Sequence, residues 1–141
     1  MKLLVDSSVW SLSLRRKNKP PSNPVEQRKV ALLSEAIADG RVAMIGPVRQ
    51  ELLSGIKEQA QYEALKRHLR DYRDEPLQTE DYEHAARFYN LCRSDGVECG
   101  PIDILICSVA IRRGWEILTT DSGLVRCLEV LEPERQAKGR H

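Results

Sequence analysis

The sequence lacks three things: a long apolar run, a Cys-x-x-Cys pair and a large net charge of either sign. No stretch approaches the roughly 20 apolar residues that cross a bilayer. The opening Met1-Lys2-Leu3-Leu4-Val5-Asp6 meets a charge at its sixth position and has no apolar segment of the length a secretory signal needs, so it is not expected to act as one. A cytoplasmic protein with no membrane association is expected, with Cys92, Cys99, Cys107 and Cys127 as reduced, buried thiols. Without a Cys-x-x-Cys pair or a following pair of histidines, a structural zinc site is not expected. Lys and Arg number 22 against 21 Asp and Glu, a net charge of +1. Bulk electrostatics therefore does not hold nucleic acid, and any grip on it must be local. There is no internal repeat and no low-complexity segment. A chain of 141 residues suffices for one domain with its own hydrophobic core.

Short apolar runs alternate with longer segments of helical period. Leu3-Leu4-Val5 reads as a strand buried on both faces, ending at Asp6 and leading into a helix through Val9-Trp10 and Leu12-Leu14. A basic, proline-broken loop over 15–24 stops that helix. Val30, Leu33, Ala36 and Ile37 mark a second helix, closed by Asp39-Gly40. Val42 to Ile45 reads as a second strand, and Gly46-Pro47 opens a helix that carries Glu51 in its first turns. Residues 58–74 read as one long charged helix, and Thr79-Glu80-Asp81 opens another that runs to Asp95-Gly96. Gly100-Pro101 begins a helix with Asp103 in its first turn and Gly114 as its stop. Trp115 to Leu118 forms a third strand running into Thr119-Thr120-Asp121-Ser122-Gly123, and Glu129-Val130-Leu131 reads as a last strand. Alternation of this kind predicts an α/β fold with a parallel sheet covered on both faces. Residues 1–132 make up the domain, and 133–141 a polar tail expected to fray.

Four acids share one address in this plan. Asp6 and Asp121 follow strands, and Glu51 and Asp103 lie near the starts of helices that follow loops, at the sheet edge where open parallel sheets bind ligands. Each alone has an ordinary explanation as a helix cap or dipole partner. Together they repel unless a cation lies among them, which points to a hard divalent ion, Mg²⁺ or Mn²⁺, with oxygen ligands. Such an ion activates water and stabilises charge developing on a phosphodiester. Helix N-termini aimed at the same edge would help to hold phosphate.

Leu3-Leu4-Val5-Asp6-Ser7-Ser8-Val9-Trp10, Val48-Arg49-Gln50-Glu51-Leu52-Leu53-Ser54-Gly55, Pro101-Ile102-Asp103-Ile104-Leu105-Ile106 and Ile117-Leu118-Thr119-Thr120-Asp121 resemble the successive motifs of PIN-domain ribonucleases, over nearly the whole chain. Within that family the chain is most similar to the VapC toxins of toxin–antitoxin pairs. The resemblance implies a three-layer α/β/α fold with a central parallel sheet of four to five strands. It also implies an Mg²⁺- or Mn²⁺-dependent endoribonuclease, a homodimer, and a cognate VapB-like antitoxin. Asp6, Glu51, Asp103 and Asp121 match the family's catalytic, metal-binding acids, and Ser8 and Thr119 its supporting polar positions. Many members carry a further acid and an aromatic just after the fourth acid, where this chain has Gly123 and Leu124.

Arg15, Arg16 and Lys17 are candidates for RNA phosphate contact beside Asp6, although such a run also suits a solvated loop. Arg49, Arg112 and Arg113 are weaker candidates. Trp10 is read as core or dimer surface rather than as a base-stacking platform, and Trp10 and Leu14 are expected to be exposed apolar contacts of the homodimer. The three histidines show no ligand spacing. Competing functions are a catalytically silent PIN-like binding module, a DNA-cutting nuclease of the same fold, and a phosphotransfer domain. The last needs a lysine partner, and there is none between Lys66 and Lys138.

Overall fold

The computed structural model describes residues 1–15 and 23–139. Its sheet is wholly parallel with the order β2-β1-β3. Strand β1 (Leu3–Val5) lies between β2 (Val42–Ala43) and β3 (Glu116–Leu118), with Leu4 opposite Ala43 on one side and Ile117 on the other. Three strands form among the described residues, where four to five were expected. The missing one is the stretch Glu129-Val130-Leu131, which closes a helix, α7 (Ser122–Val130). The apolar triplet suits a strand locally, but Leu124, Cys127, Leu128 and Leu131 recur at helical spacing and all pack into or against the core.

Helices flank the sheet. On the N-terminal side of the chain, α1 (Ser7–Arg15) packs on α2 (Pro24–Ala38) and on α3 (Gly46–Ser54), which meets α4 (Gln59–Leu69). The long helix expected over 58–74 ends at Leu69 because the following segment turns back along the sheet edge. There Asp74 bridges to Met44, and the Glu75 amide donates to the Met44 carbonyl at 2.8 Å. In the C-terminal half, α5 (Thr79–Ser94) packs on α6 (Pro101–Arg113), and both contact α7. Residues from Pro133 onward, expected to fray, continue as α8 (Glu132–Gly139), where Glu134 makes a two-pronged ion pair with Arg87.

Helix α6 is the axis of the core, with every residue from Ile104 to Ile111 buried. A helix apolar on all sides belongs in a protein interior. It ends at Gly114, whose φ of 69° is the left-handed conformation that stops a helix and that glycine adopts without a Cβ penalty. From that last turn, Arg112 and Arg113 both reach the buried carboxylate of Asp81, at 2.5 and 2.9 Å. Burial raises the Asp81 pKa, but hydrogen bonds from Arg113, the Gln78 amide and Arg112 outweigh it and hold the carboxyl below its ordinary value.

Two further expectations are corrected. Trp10 is 1% exposed and sits edge-on against Tyr72, and Leu14 is half-buried, so neither offers the exposed dimer surface expected of it. The four cysteines are not all free thiols: Cys99 and Cys127 form a disulfide, and only Cys92 and Cys107 are free and buried. The bonded pair stands 28 residues apart in sequence, a proximity created by the return of the chain through β3 and invisible to motif spacing.

Candidate active site

Beyond the C-terminal ends of β1 and β3 lies a cavity of about 220 Å³, lined by Asp6, Ser7, Ser8, Glu51, Gly100, Pro101, Ile102, Asp103 and Asp121. All four acids singled out from the sequence therefore line one space. Asp6 arrives directly from β1, its amide extending the sheet ladder to the Leu118 carbonyl at 2.9 Å. Asp121 follows β3 by three residues and caps α7, with Oδ1 accepting the Gly123 amide at 2.8 Å. Asp103 is in the first turn of α6. Glu51 lies in the second turn of α3 rather than at its N-terminus, so it reaches the cavity along the helix flank and not as a partner of the helix end.

Hydroxyl groups fix these carboxylates. Ser8 Oγ and Thr119 Oγ1 both donate to Asp6 Oδ2, at 2.9 and 2.8 Å. Each hydroxyl also accepts a backbone N–H from the β3–α7 connection, Ser8 from Thr120 at 3.0 Å and Thr119 from Asp121 at 2.9 Å. With its one proton committed to Asp6 and a lone pair to an amide, each hydroxyl links the end of β1 to the segment carrying Asp121. Burial singles out the same groups. Among the described residues the buried polar side chains are Asp6, Thr119, Asp81 and Ser108; Asp6 lines this cavity with Thr119 bonded to it, and the last two belong to the α5–α6 contact. Ser7, unremarked in the sequence, donates from Oγ to Glu51 Oε1. Its signal was its place as the first helical residue after Asp6, which turns its side chain toward α3.

The electrostatics are those of crowded like charges. The Asp103 carboxyl is pushed up from 3.8 to about 6, first by burial and then by the negative charges of Asp121, Asp6 and Glu51. A carboxylate in the first turn of a helix ordinarily gains from the helix dipole. At Asp103 burial and the neighbouring negative charges act against that gain.

The basic candidates are placed less favourably. Arg49 is tied to Asp74 at 2.9 Å and to the carbonyls of Leu69 and Tyr72, and Arg112 and Arg113 to Asp81. All three hold the fold together and do not line the cavity. Arg15 closes α1; its side chain, together with Arg16 and Lys17, lies outside the described residues. His84 contacts the Glu80 carbonyl and Phe88, and His68 the Tyr72 ring, away from the acids. No helix among the described residues is long and apolar enough to cross a membrane.

A family described as PIN domain matches residues 3–127. No curated protein matches the chain. Among solved structures, the crystal structure of FitAcB from Neisseria gonorrhoeae is similar with a TM-score of 0.71 and 21% identity, over 90% of this chain and 93% of that one. At that identity the likeness is one of fold.

Proposed function

The chain belongs to the PIN-domain family, and on that premise we propose that it is an Mg²⁺- or Mn²⁺-dependent endoribonuclease, the toxin of a toxin–antitoxin pair. PIN domains are generally nucleases. The observation that carries the reading is the single cavity lined by Asp6, Glu51, Asp103 and Asp121, with Asp103 destabilised as an anion first by burial and then by the other three. Four carboxylates and adjoining hydroxyls are an all-oxygen donor set, which suits a hard divalent cation and not a soft one. Bringing such a cation among them removes the repulsion that pushes Asp103 up.

Asp6, Glu51, Asp103 and Asp121 would hold the ion. A bound divalent cation supplies activation of water and neutralisation of charge developing at a phosphodiester. The protein's own part is positioning. Ser8 and Thr119 fix the orientation of Asp6, the α7 cap fixes Asp121, and Ser7 restrains Glu51. The first turn of α6 brings backbone N–H groups to the cavity beside Gly100 and Pro101, where they favour a phosphate. No side chain of the cavity is an evident covalent nucleophile, so water is the attacking group.

RNA as substrate, a VapB-like antitoxin and a homodimer are part of the same proposal and rest on the resemblance to VapC toxins; the fold shared with FitAcB is compatible with them. The test is to incubate the full chain with total RNA and with duplex and single-stranded DNA, in Mg²⁺, in Mn²⁺ and in chelator. RNA should be cut only where metal is present. Cleavage that survives chelation refutes the metal mechanism, and cleavage confined to DNA replaces the substrate.

A further inference from the structure

The disulfide lies outside the acidic cavity but joins its two flanks. Cys99 stands in the connection between α5 and α6, four residues before Asp103, and Cys127 stands in α7, six residues after Asp121. The bond thus ties together two segments whose carboxylates repel each other across the cavity. Its two sulfurs are unequally reachable. Cys99, though only 6% exposed, lines an open groove of about 680 Å³ with Tyr89, Glu98 and Ile104, whereas Cys127 is wholly buried. Gly100 and Pro101 line both that groove and the acidic cavity, so a change at Cys99 is transmitted to the cavity wall. A third sulfur, Cys92, lies within 4.8 Å of the pair. Burial, and then Asp95, push its thiol up, which keeps it protonated and a poor competitor for the bond.

We propose that Cys99–Cys127 is a reversible redox staple of the acid cluster: closed, it holds the Asp103 and Asp121 segments together and tightens divalent-cation binding, and opened by a dithiol reductant it weakens that binding. The proposal rests on the reading of the cluster as a cation site. In opening, a thiolate of the reductant attacks Cys99 Sγ, forming a mixed disulfide as Cys127 leaves as a thiolate and takes up a proton. The reductant's second thiolate then attacks its own sulfur in the mixed disulfide, and Cys99 is released and protonated. Two electrons pass to the protein, and the reductant ends as its own disulfide. A small disulfide such as oxidised glutathione reverses both steps.

The experiment compares the full chain equilibrated with oxidised glutathione and the same chain reduced by dithiothreitol, each desalted without oxygen. Thiols are counted after unfolding, the bond is mapped by peptide mass, and Mg²⁺ and Mn²⁺ affinities are read by calorimetry. The oxidised chain should show two thiols and the Cys99–Cys127 peptide, the reduced chain four thiols. Groups that orient ligands without touching a metal shift affinity by roughly 10- to 100-fold, and a link acting through intervening helix turns is expected at the lower end, about tenfold. Cys92→Ala should keep the full redox response, and Cys99→Ala with Cys127→Ala should match the reduced chain under both conditions. Four thiols after oxidation, a bond that includes Cys92, or equal affinity in the two states overturns the proposal. So does one equivalent of zinc held by the reduced chain through Cys92, which would make the cluster a metal site. An absence of Mg²⁺ and Mn²⁺ binding in both states overturns the cation-site reading itself, whereas equal binding in both leaves that reading intact.

Discussion

Asp103→Asn should make the metal-free protein more stable while disabling it. Asparagine keeps the shape of the side chain and removes the charge that its surroundings oppose. A displacement of the carboxyl from 3.8 to about 6 corresponds nominally to about 3 kcal/mol at neutral pH, at about 1.4 kcal/mol per tenfold change in proton affinity. The side chain is partly open to water, and screening reduces this to about 1–2 kcal/mol. Loss of an acid from the first turn of α6 acts the other way by about 0.3–1 kcal/mol. The repulsion wins, leaving a net gain near 1 kcal/mol. For a chain of this length that is a rise in Tm of about 3 °C. The pH dependence has a definite sign. The folded-state pKa lies above the unfolded one, so the native wild type holds an extra proton between about pH 4 and 6. Its stability is full below about pH 4 and declines as pH rises through 6, and the advantage of the variant opens over the same window. Melts in chelator at pH 4 and pH 7.5 measure both points. In Mg²⁺ at ten times its dissociation constant the wild type gains about 1.4 kcal/mol by mass action and overtakes the variant. Asp39→Asn and Asp95→Asn, at exposed positions, serve as controls. A variant that melts no higher than wild type in chelator at pH 7.5, or by the same margin at pH 4, refutes the picture of a strained acid cluster.

Asp81→Ala should cost about 3 kcal/mol in urea unfolding, the low end for breaking a buried ion pair because Arg112 and Arg113 can turn partly to water. Since the Asp81 pKa is depressed in the fold, the stability it confers is present above about pH 4 and lost as pH falls through its folded-state value; a loss below 1 kcal/mol at neutral pH would contradict this. Thr119→Val removes the hydroxyl shared by Asp6 and the Asp121 amide, and should cost about 2 kcal/mol and lower RNA cleavage roughly tenfold or more; unchanged cleavage would show that Asp6 needs no such support. Opening the Cys99–Cys127 bond frees a loop of 28 residues, for which chain entropy gives up to about 3.6 kcal/mol and a drop in Tm of roughly 10 °C, to be read by calorimetry with and without reductant.

Most of the site was legible in the sequence because its residues sit at the junctions of regular elements. A strand end fixes the position of Asp6, Gly100-Pro101 fixes the start of α6 and hence Asp103, and the polar turn after Leu118 fixes Asp121. Glu51 was assigned to the right helix, about one turn in, but that it reaches the cavity from the helix flank and not from the helix end was not legible, since the two differ only by a few residues of register. What was not legible depends on contacts far apart in the chain. Asp81 looked like an ordinary helix cap, and it is one, but its burial under Arg112 and Arg113 follows from the packing of α5 on α6. The last expected strand failed because three apolar residues carry no period of their own; only the longer window from Leu124 reveals the helix. The same limit hid the Cys99–Cys127 pairing and placed Trp10 on the surface.

Helix α6 explains why one small domain tolerates an acid cluster that opposes its own folding. Its 13 residues span about 20 Å, with Asp103 near one end and Arg112 and Arg113 at the other. At the Arg end, two cations and a fully buried carboxylate satisfy one another. At the Asp103 end, four carboxylates crowd one cavity, and their like charges stay uncompensated unless a cation joins them. Between the ends every residue from Ile104 to Ile111 is buried, so the helix cannot slide or tilt to relieve the repulsion without disrupting packing, at about 25 cal/mol for each Å² of apolar surface exposed. A repulsion of 1–2 kcal/mol is too small to do that. The core and the Asp81 cluster therefore hold Asp103 in place against its neighbours, and the cavity stays assembled before any cation arrives. Binding energy then goes into ion capture rather than into rearranging the chain.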